Sequence, residues 1–286
     1  MMFLRPKTSE KLAFATLRLS MALVLAFVSI IVIYITVNGY SALSLDFITQ
    51  MPMKRMTQGG IYPAIMGSLM LIGLSMAFAI PLGILSAIYL NEYSTPGRAS
   101  WAIEMAINNL AGTPSVVFGL FGLALFVKYF GFGASLLSAS LTLALLIVPV
   151  IIRASKEALM TVPQEYREAS LALGVTKWQT TRKVILPAAI PGMMTGIILS
   201  VGRVAGETAP ILLTGAAYFL PRIPDSVFSQ FMALPYHLFV LATSGTSITQ
   251  TRPIQYGTAL ILLLIVVMMN SIAVVIRRHY RNKLNR

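Results

Sequence analysis

The sequence predicts an all-α membrane protein with six transmembrane helices. Hydrophobic residues make up 57% of the chain, charged residues 11%, and the mean hydropathy is +0.79, which is not the composition of a soluble domain. Long apolar runs follow one another, each near or above the roughly 20 residues that a helix needs to cross a bilayer. The predicted spans are residues 19–37, 61–90, 106–127, 134–152, 187–219 and 256–276. Residues 19–286 are therefore predicted to form a single membrane domain.

The basic residues indicate which ends of the spans face the cytoplasm. The net charge is +13, but Lys and Arg neither cluster on one face nor alternate with aromatic residues, so a nucleic-acid groove is not predicted. They concentrate in residues 1–18, 153–186 and 277–286, which satisfies the positive-inside rule if both termini are cytoplasmic. We therefore expect a multi-pass protein of the bacterial inner membrane, surrounded by lipid.

The first apolar run is predicted to be a retained helix rather than a cleaved signal peptide. No charged residue occurs from Leu19 through Leu45, whereas a cleavable core has only about 7–15 apolar residues. The chain also has no cysteine, which excludes disulfides, iron–sulfur clusters and thiolate metal sites. We expect no metal and no catalytic residue in it.

Residues 153–186 form the longest charge-rich segment, and local signals predict two short helices within it. Gly174 suits the left-handed residue that ends a first helix. Thr176 and Gln179 have the spacing of a capping box, which begins a second helix that Pro187 is expected to end. Without further information, such a pair of helices would simply link two spans at the membrane interface.

The same segment carries a spaced pattern: Glu168-Ala169-Ser170, three residues, Gly174, nine residues, Val184, one residue, then Leu186-Pro187. This pattern resembles the EAA motif, E-A-A-x3-G-x9-I-x-L-P, of the permeases of binding-protein-dependent ABC importers. Serine and valine replace the alanine and isoleucine of the motif, and both preserve size and character. The resemblance implies the type I importer permease (MetI-like) fold and a cytoplasmic coupling loop. It assigns contact with a separate ATPase to Glu168, Ala169, Ser170, Gly174, Leu186 and Pro187.

The chemistry of ATP is expected in a partner rather than in this chain. No G-x4-G-K-[ST] run occurs, and no lysine is preceded by glycine, so the loop that cradles nucleotide phosphates is missing. The resemblance implies that ATP and Mg²⁺ bind to the ATPase subunit. This chain would then be a permease without catalysis of its own.

Two opposite charges lie inside the fifth predicted span. Arg203 and Glu207 are four residues apart and so share one helical face, to which Thr214 is also predicted to belong. A charge within a span costs about 2.5–3.5 kcal/mol on insertion scales and by default marks a pathway. The alternative is that the two residues only neutralise each other, and the sequence leaves both interpretations open.

Two stretches are similar to the phosphate branch of this family, the permeases of the PstA type. Residues 203–210 match R-x-x-G-E-T-A-P, and residues 110–122 contain a run similar to P-S-x-V-x-G-L-x-G. The resemblance covers essentially the whole chain. It implies a heterodimer with a PstC-type permease, two copies of a PstB-type ATPase and an external phosphate-binding protein of the PstS type. It assigns the translocation pathway to Arg203, Glu207 and Thr208, and a pathway or hinge role in helix three to Thr113, Pro114 and Ser115.

A pathway role has a simple chemical basis. Arg203 is expected to donate a bidentate pair of hydrogen bonds to phosphate oxygens, which a lysine cannot do. Glu207 is expected either to accept the proton that hydrogen phosphate carries or to hold the arginine in position. Thr113-Pro114-Ser115 is expected to bend the third span, and an ordinary kink is the more common use of such a proline.

Residues 220–255, an external loop before the last span, mix prolines with aromatic residues. A short helix or re-entrant piece lying against the bundle is predicted here. Two uses remain open, namely packing at the membrane interface, where aromatic residues are common, and docking of an external partner.

Other classes of function make different demands on the sequence. A self-sufficient secondary carrier is often built from internal repeats, none of which is clear here. Permeases for molybdate or sulfate share the coupling motif, so the stretches in helices three and five must decide between the oxyanions. A membrane sensor would have to act through partners, because no kinase, phosphatase or nucleic-acid module is encoded.

Overall fold

The computed structural model describes residues 6–244 and 248–284, and most of these residues are helical. The first five and last two residues of the predicted cytoplasmic ends lie outside this range. The α-helices of the described residues are α1 Pro6–Gly39, α2 Leu45–Thr49, α3 Tyr62–Ile88, α4 Arg98–Ala111, α5 Ser115–Gly122, α6 Leu136–Met160, α7 Gln164–Ala172, α8 Lys177–Thr180, α9 Leu186–Gly206, α10 Ala209–Thr214, α11 Leu234–Thr243 and α12 Ile248–Leu284. A short antiparallel pair, β1 Pro52–Met53 and β2 Gln58–Gly59, follows α2.

The centre of the bundle is α6, which packs along α3 on one side and α9 on the other. Leu143, Ile147 and Ile151 of α6 have no exposed surface. Because lipid is as apolar as leucine, close packing rather than water exclusion holds such helices together. In contrast, α1 is exposed along its apolar length and packs mainly against α12.

Five continuous helices are long and apolar enough to cross a membrane, and a bent pair provides a sixth crossing. The predicted spans one, two, four and six are confirmed as α1, α3, α6 and α12. The six-span helical fold class is therefore confirmed, although α6 continues as helix eight residues beyond the predicted end at Ile152, to Met160.

The third span, predicted over residues 106–127, is a bent pair of helices, and the bend lies at Thr113-Pro114-Ser115, as the sequence predicts. The chain turns by 104° between α4 and α5, and a π-helical turn, Leu123–Tyr129, continues α5. The physical reason is Pro114, which lacks an N–H group and disfavours helical geometry at the residue before it. The α5 half has buried residues in the bundle, whereas α4 has none and contacts α6 from the surface.

The fifth span also differs from its prediction as one helix over residues 187–219. The helix ends at Gly206, Glu207 has extended backbone (ψ 131°), and α10 begins only at Ala209. Thr214 was wrongly placed on the face of Arg203 and Glu207, because it belongs to this second helix. Pro210 in the first turn of α10 fits the break, since a proline is tolerated at a helix start.

Pro187 was expected to end the second helix of the charge-rich segment, and this expectation was wrong. The helix runs without interruption from Lys177 to Gly206, through a π turn at Thr181–Ile185. The ring of a proline clashes with the carbonyl four residues earlier, which here is Lys183 inside the π turn. The wider turn removes that clash, so the helix continues.

The segment predicted as an external loop packs back against the bundle, as the sequence predicts. Phe231, Met232 and Leu234 are almost completely buried, and α11 packs against α12 and α3. The backbone N–H of Leu234 donates to the Ser68 hydroxyl of α3 at 2.8 Å. Phe228 and Phe239 remain exposed.

Candidate functional site

The part of the chain that resembles a coupling loop, residues 164–180, is a pair of short helices joined by a glycine turn. It is called the coupling segment below. The first helix is α7, and Gly174 follows it with φ +76°, the left-handed geometry predicted from the sequence. The predicted capping box of α8 is also present: the Gln179 N–H donates to the Thr176 hydroxyl and the Thr176 N–H to the Gln179 side chain. Both local signals that the sequence predicts are therefore present in this segment.

Glu168 and Ala169 of the EAA-like motif lie on the exposed face of α7, while Ser170 is buried. The Ser170 hydroxyl lies 2.9 Å from the Thr180 hydroxyl of α8, so the two helices are fastened to each other. Gly174 is open to solvent, and a Cβ atom added there would meet no heavy atom within 4 Å.

The apolar residues of the coupling segment face outward. Tyr166, Leu171 and Trp178 are about half exposed, and Leu173 is 83% exposed. An exposed apolar patch of this kind, rimmed by charged residues, is typical of a protein interaction surface.

Leu186 and Pro187, the last two residues of the motif, begin α9. Because the helix is continuous from Lys177 to Gly206, α8 of the coupling segment lies on the same helix as Arg203. The helix is about 39 Å long between Lys177 and Arg203, at a rise of 1.5 Å per residue.

Sequence reasoning missed the pair Arg167 and Glu92. The Arg167 guanidinium donates to Glu92 Oε1 at 2.8 Å and to the backbone carbonyls of Val162 at 2.8 Å and Leu159 at 3.0 Å. The side chains of this ion pair are only 15% and 6% exposed. The available signal was an acidic residue near the end of span two that is predicted to be cytoplasmic, where the positive-inside rule expects basic residues.

Arg203 and Glu207 form an ion pair, with Arg203 Nε 3.2 Å from Glu207 Oε1. The arginine side chain is 36% exposed and that of the glutamate 15% exposed. Arg203 lies in the last turn of α9, where the helix dipole favours a cation. Because the arginine side chain is partly exposed, an anion can reach it, so the pair fits both interpretations left open by the sequence.

The structure brings together the two stretches that resemble the phosphate branch. Gly119 of α5 lies against Ala209 and Pro210 of α10. Gly119 is one turn beyond Ser115, and Ala209 directly follows Thr208. The second turn of α5 is therefore in contact with the first turn of α10. Thr208 occupies the N-cap position of α10, and its carbonyl accepts from the Leu212 N–H at 3.1 Å.

Thr113 and Pro114 lie at the sharp bend before α5. The Thr113 hydroxyl donates to the Asn109 carbonyl at 3.0 Å, and the same carbonyl accepts from the Gly112 N–H at 3.1 Å at the end of α4. Thr113 also lines a mainly apolar cavity of about 280 Å³ with Val117, Phe118 and residues of α4 and α6.

Asn270 of α12 is a second polar residue that sequence reasoning missed. Its side-chain amide lies close to Gly202 of α9, and its buried Oδ1 atom has no hydrogen-bond partner among the described residues. The position next to Arg203 adds a polar group to the same part of the bundle.

These features are those of a multi-pass membrane transport subunit with an exposed apolar patch of the kind that binds other proteins. Residues 79–286 match the family of binding-protein-dependent transport system inner membrane components. Since the match covers most of the chain, the chain belongs to this family.

Two relatives illustrate the range of similarity. The phosphate transport system permease protein PstA 1 of Mycobacterium tuberculosis (strain ATCC 25618 / H37Rv) is 40% identical over 220 residues, which are 77% of this chain and 70% of that protein. The probable ABC transporter permease protein YqgI of Bacillus subtilis is 33% identical over 279 residues, with 93% and 94% covered.

Solved structures of the same fold include two importers. A bacterial ABC transporter involved in the import of the acidic polysaccharide alginate has a TM-score of 0.68 and 16% identity, covering 95% of this chain and 96% of that chain. The inward-facing MetNI methionine ABC transporter has a TM-score of 0.58 and 19% identity, covering 77% and 94%. At these identities the likeness confirms the MetI-like fold and not the substrate.

Proposed function

We propose that this chain is the PstA-type permease subunit of an ATP-driven phosphate importer. It forms half of the translocation pathway and contributes no catalytic residue. The observation that carries the proposal is the continuous helix from Lys177 to Gly206. One end of this helix belongs to an exposed coupling segment, and the other end carries an intramembrane ion pair.

The substrate is proposed from the relatives. Phosphate is named in the relative that is 40% identical, and the two stretches similar to the phosphate branch lie in contact at Gly119 and Pro210. Arg203 offers guanidinium donors to phosphate oxygens, and Glu207 orients that guanidinium or accepts a proton from the substrate. Molybdate and sulfate are the rival oxyanions that an uptake assay must include.

The assembly follows the family pattern. We propose a heterodimer with a PstC-type permease, two PstB-type ATPase subunits that bind ATP and Mg²⁺, and a PstS-type binding protein on the outer side. The ATPase contacts Glu168 and Ala169 on the exposed face of α7. Both termini lie in the cytoplasm of a bacterial cell, and the chain lies in the inner membrane.

Co-purification tests the coupling surface. The intact chain is expected to retain the ATPase subunit, and Glu168→Lys to lose it, because a reversed charge replaces a carboxylate on the proposed contact face. Asp46→Lys reverses an exposed charge on α2 and serves as the control. Retention of the ATPase by Glu168→Lys and by Gly174→Trp would contradict the proposed contact.

A further inference from the structure

We propose that Arg167 and Glu92 form the joint that makes α3 and α6 move together with the coupling helix α7. This inference rests on the proposed function, because it concerns how force from the ATPase enters the bundle. Nothing in the EAA-like motif includes either residue. The joint is defined as Arg167, Glu92 and the carbonyls of Leu159 and Val162.

Three parts of the chain meet at the Arg167 guanidinium. The Glu92 carboxylate belongs to the π turn Tyr89–Tyr93 that continues α3, and Leu159 lies in the last turn of α6. Nη2 is 2.8 Å from Glu92 Oε1 and Nε is 3.4 Å from Oε2, so the guanidinium faces both carboxylate oxygens. A planar guanidinium can hold all these acceptors at once, whereas an ammonium group cannot.

The carboxylate is fixed from a second direction. The side-chain amide of Asn91 donates to Glu92 Oε1 at 2.7 Å. A further contact links the same two regions, since the Lys177 ammonium of α8 lies 5.1 Å from the centre of the Tyr93 ring. The end of α3 is thus attached to both helices of the coupling segment.

The two faces of α7 have different roles. Glu168 and Ala169 are exposed, whereas Arg167 and Ser170 point toward the rest of the protein. A partner that displaces the exposed face must move the inner face, since both belong to one short helix. Through the joint this displacement reaches α3 and α6, the most extensively packed helices of the bundle.

The route through the joint is separate from the covalent route. The coupling segment is covalently continuous with α6 through residues 161–163 and with α9 through the π turn before Pro187. Breaking the joint therefore leaves α6 and α9 connected to the coupling segment but removes the ion pair that attaches α3. We expect the ATPase to bind and hydrolyse ATP in that case, with the bundle following its movement incompletely.

The test uses the complete importer, with all four types of subunit, in liposomes, with labelled inorganic phosphate outside and simultaneous measurement of ATP hydrolysis. Glu92→Gln and Arg167→Gln are expected to retain ATP hydrolysis and to transport about tenfold less phosphate per ATP hydrolysed. Glu104→Gln is the matched control, because it removes the Lys156–Glu104 ion pair between α6 and α4 and should leave this ratio unchanged.

A reversible cross-link provides a rescue. The native chain contains no cysteine, so Glu92→Cys with Arg167→Cys can be bridged by a cleavable thiol reagent in a complex with cysteine-free partners. The ratio of phosphate to ATP is expected to be low before bridging, to recover on bridging and to fall again on cleavage.

The outcomes separate the joint from the proposed function. Equal losses of hydrolysis and uptake, or an unchanged ratio, would overturn the joint. If the glutamine variants fail to assemble, Arg167→Lys takes their place, because it keeps the positive charge but lacks the planar pair of guanidinium donors. A normal ratio of phosphate transported to ATP hydrolysed in that variant would also overturn the joint. A wild-type complex that hydrolyses ATP with the binding protein but moves no phosphate would instead contradict the proposed function.

Discussion

Gly119 of α5 lies so close to Pro210 of α10 that a Cβ atom at residue 119 would be 2.9 Å from the Pro210 Cα atom. Real Cβ atoms essentially never approach backbone atoms so closely, so only glycine fits this contact. The contact joins the two helices that follow the breaks in spans three and five. Small residues at helix crossings have this role in membrane proteins generally.

Gly119→Ala is expected to destabilise the chain by about 1–3 kcal/mol, the usual cost of overpacking a tight contact. Gly73→Ala is the matched control, since Gly73 lies inside α3 and a Cβ atom there would meet nothing within 4 Å; helix propensity predicts a gain of up to about 1 kcal/mol there. The midpoints of thermal unfolding of the purified complexes compare the two. Equal midpoints would show that α5 and α10 are free to separate.

Arg203→Ala is expected to lower phosphate uptake by at least about tenfold, because a guanidinium that binds a passing anion contributes well over 1 kcal/mol. The exchanged pair Arg203→Glu with Glu207→Arg separates the two interpretations of these charges. If the charges only neutralise each other, the exchange restores uptake. If Arg203 binds substrate, uptake stays low in an assembled complex. Intact uptake with Arg203→Ala would refute the pathway role.

Ser170 differs from the alanine of the EAA motif, and its contact with Thr180 gives a reason for the serine. Ser170→Ala is expected to cost about 1 kcal/mol and to speed hydrogen exchange of the α7 amides about fivefold. With Thr180→Val already present, the same change should have little further effect. Additive effects of the two substitutions would show that the hydroxyls do not support each other.

Asp225 in the external loop accepts a hydrogen bond from the Ser229 hydroxyl, and this bond lowers the pKa of the Asp225 carboxyl. A carboxyl with a lowered pKa in the folded state stabilises that state above its unfolded pKa, and this contribution disappears as the pH falls through the folded value. Ser229→Ala is therefore expected to raise the pKa of Asp225 toward its ordinary value.

Carbon-13 labelling of aspartate can measure this change, since the chain holds only two aspartates, Asp46 and Asp225. In an Asp46→Asn background a single carboxyl resonance remains, and its titration with and without Ser229→Ala gives the shift directly. An identical titration in both proteins would contradict the hydrogen bond.

Much of the coupling segment could be predicted from sequence, because its signals are local. Gly174 adopts the left-handed backbone, and Thr176 with Gln179 forms the capping box, as the spacing predicts. Charge-free runs likewise located α1, α3, α6 and α12. These features depend on residues only a few positions apart, or on hydropathy alone.

The sequence predicts a bend at Thr113-Pro114-Ser115, but neither the angle of that bend nor the ion pair of Arg167 can be read from local signals. Hydropathy cannot show that the chain turns by 104° at Pro114, nor that a π turn carries the helix through Pro187. Arg167 and Glu92 are 75 positions apart, and only the packing of α7 against the end of α3 brings them together. The roles assigned to Arg203, Glu207, Thr208 and the EAA-like residues stay predictions.

The most direct test of the central claim is ATP-dependent uptake of labelled phosphate by liposomes that contain this chain with its partner permease, ATPase and binding protein. We expect uptake that requires both ATP and the chain, and that an excess of sulfate or molybdate does not abolish. Uptake of phosphate without the ATPase, or selective uptake of sulfate or molybdate instead, would contradict the account.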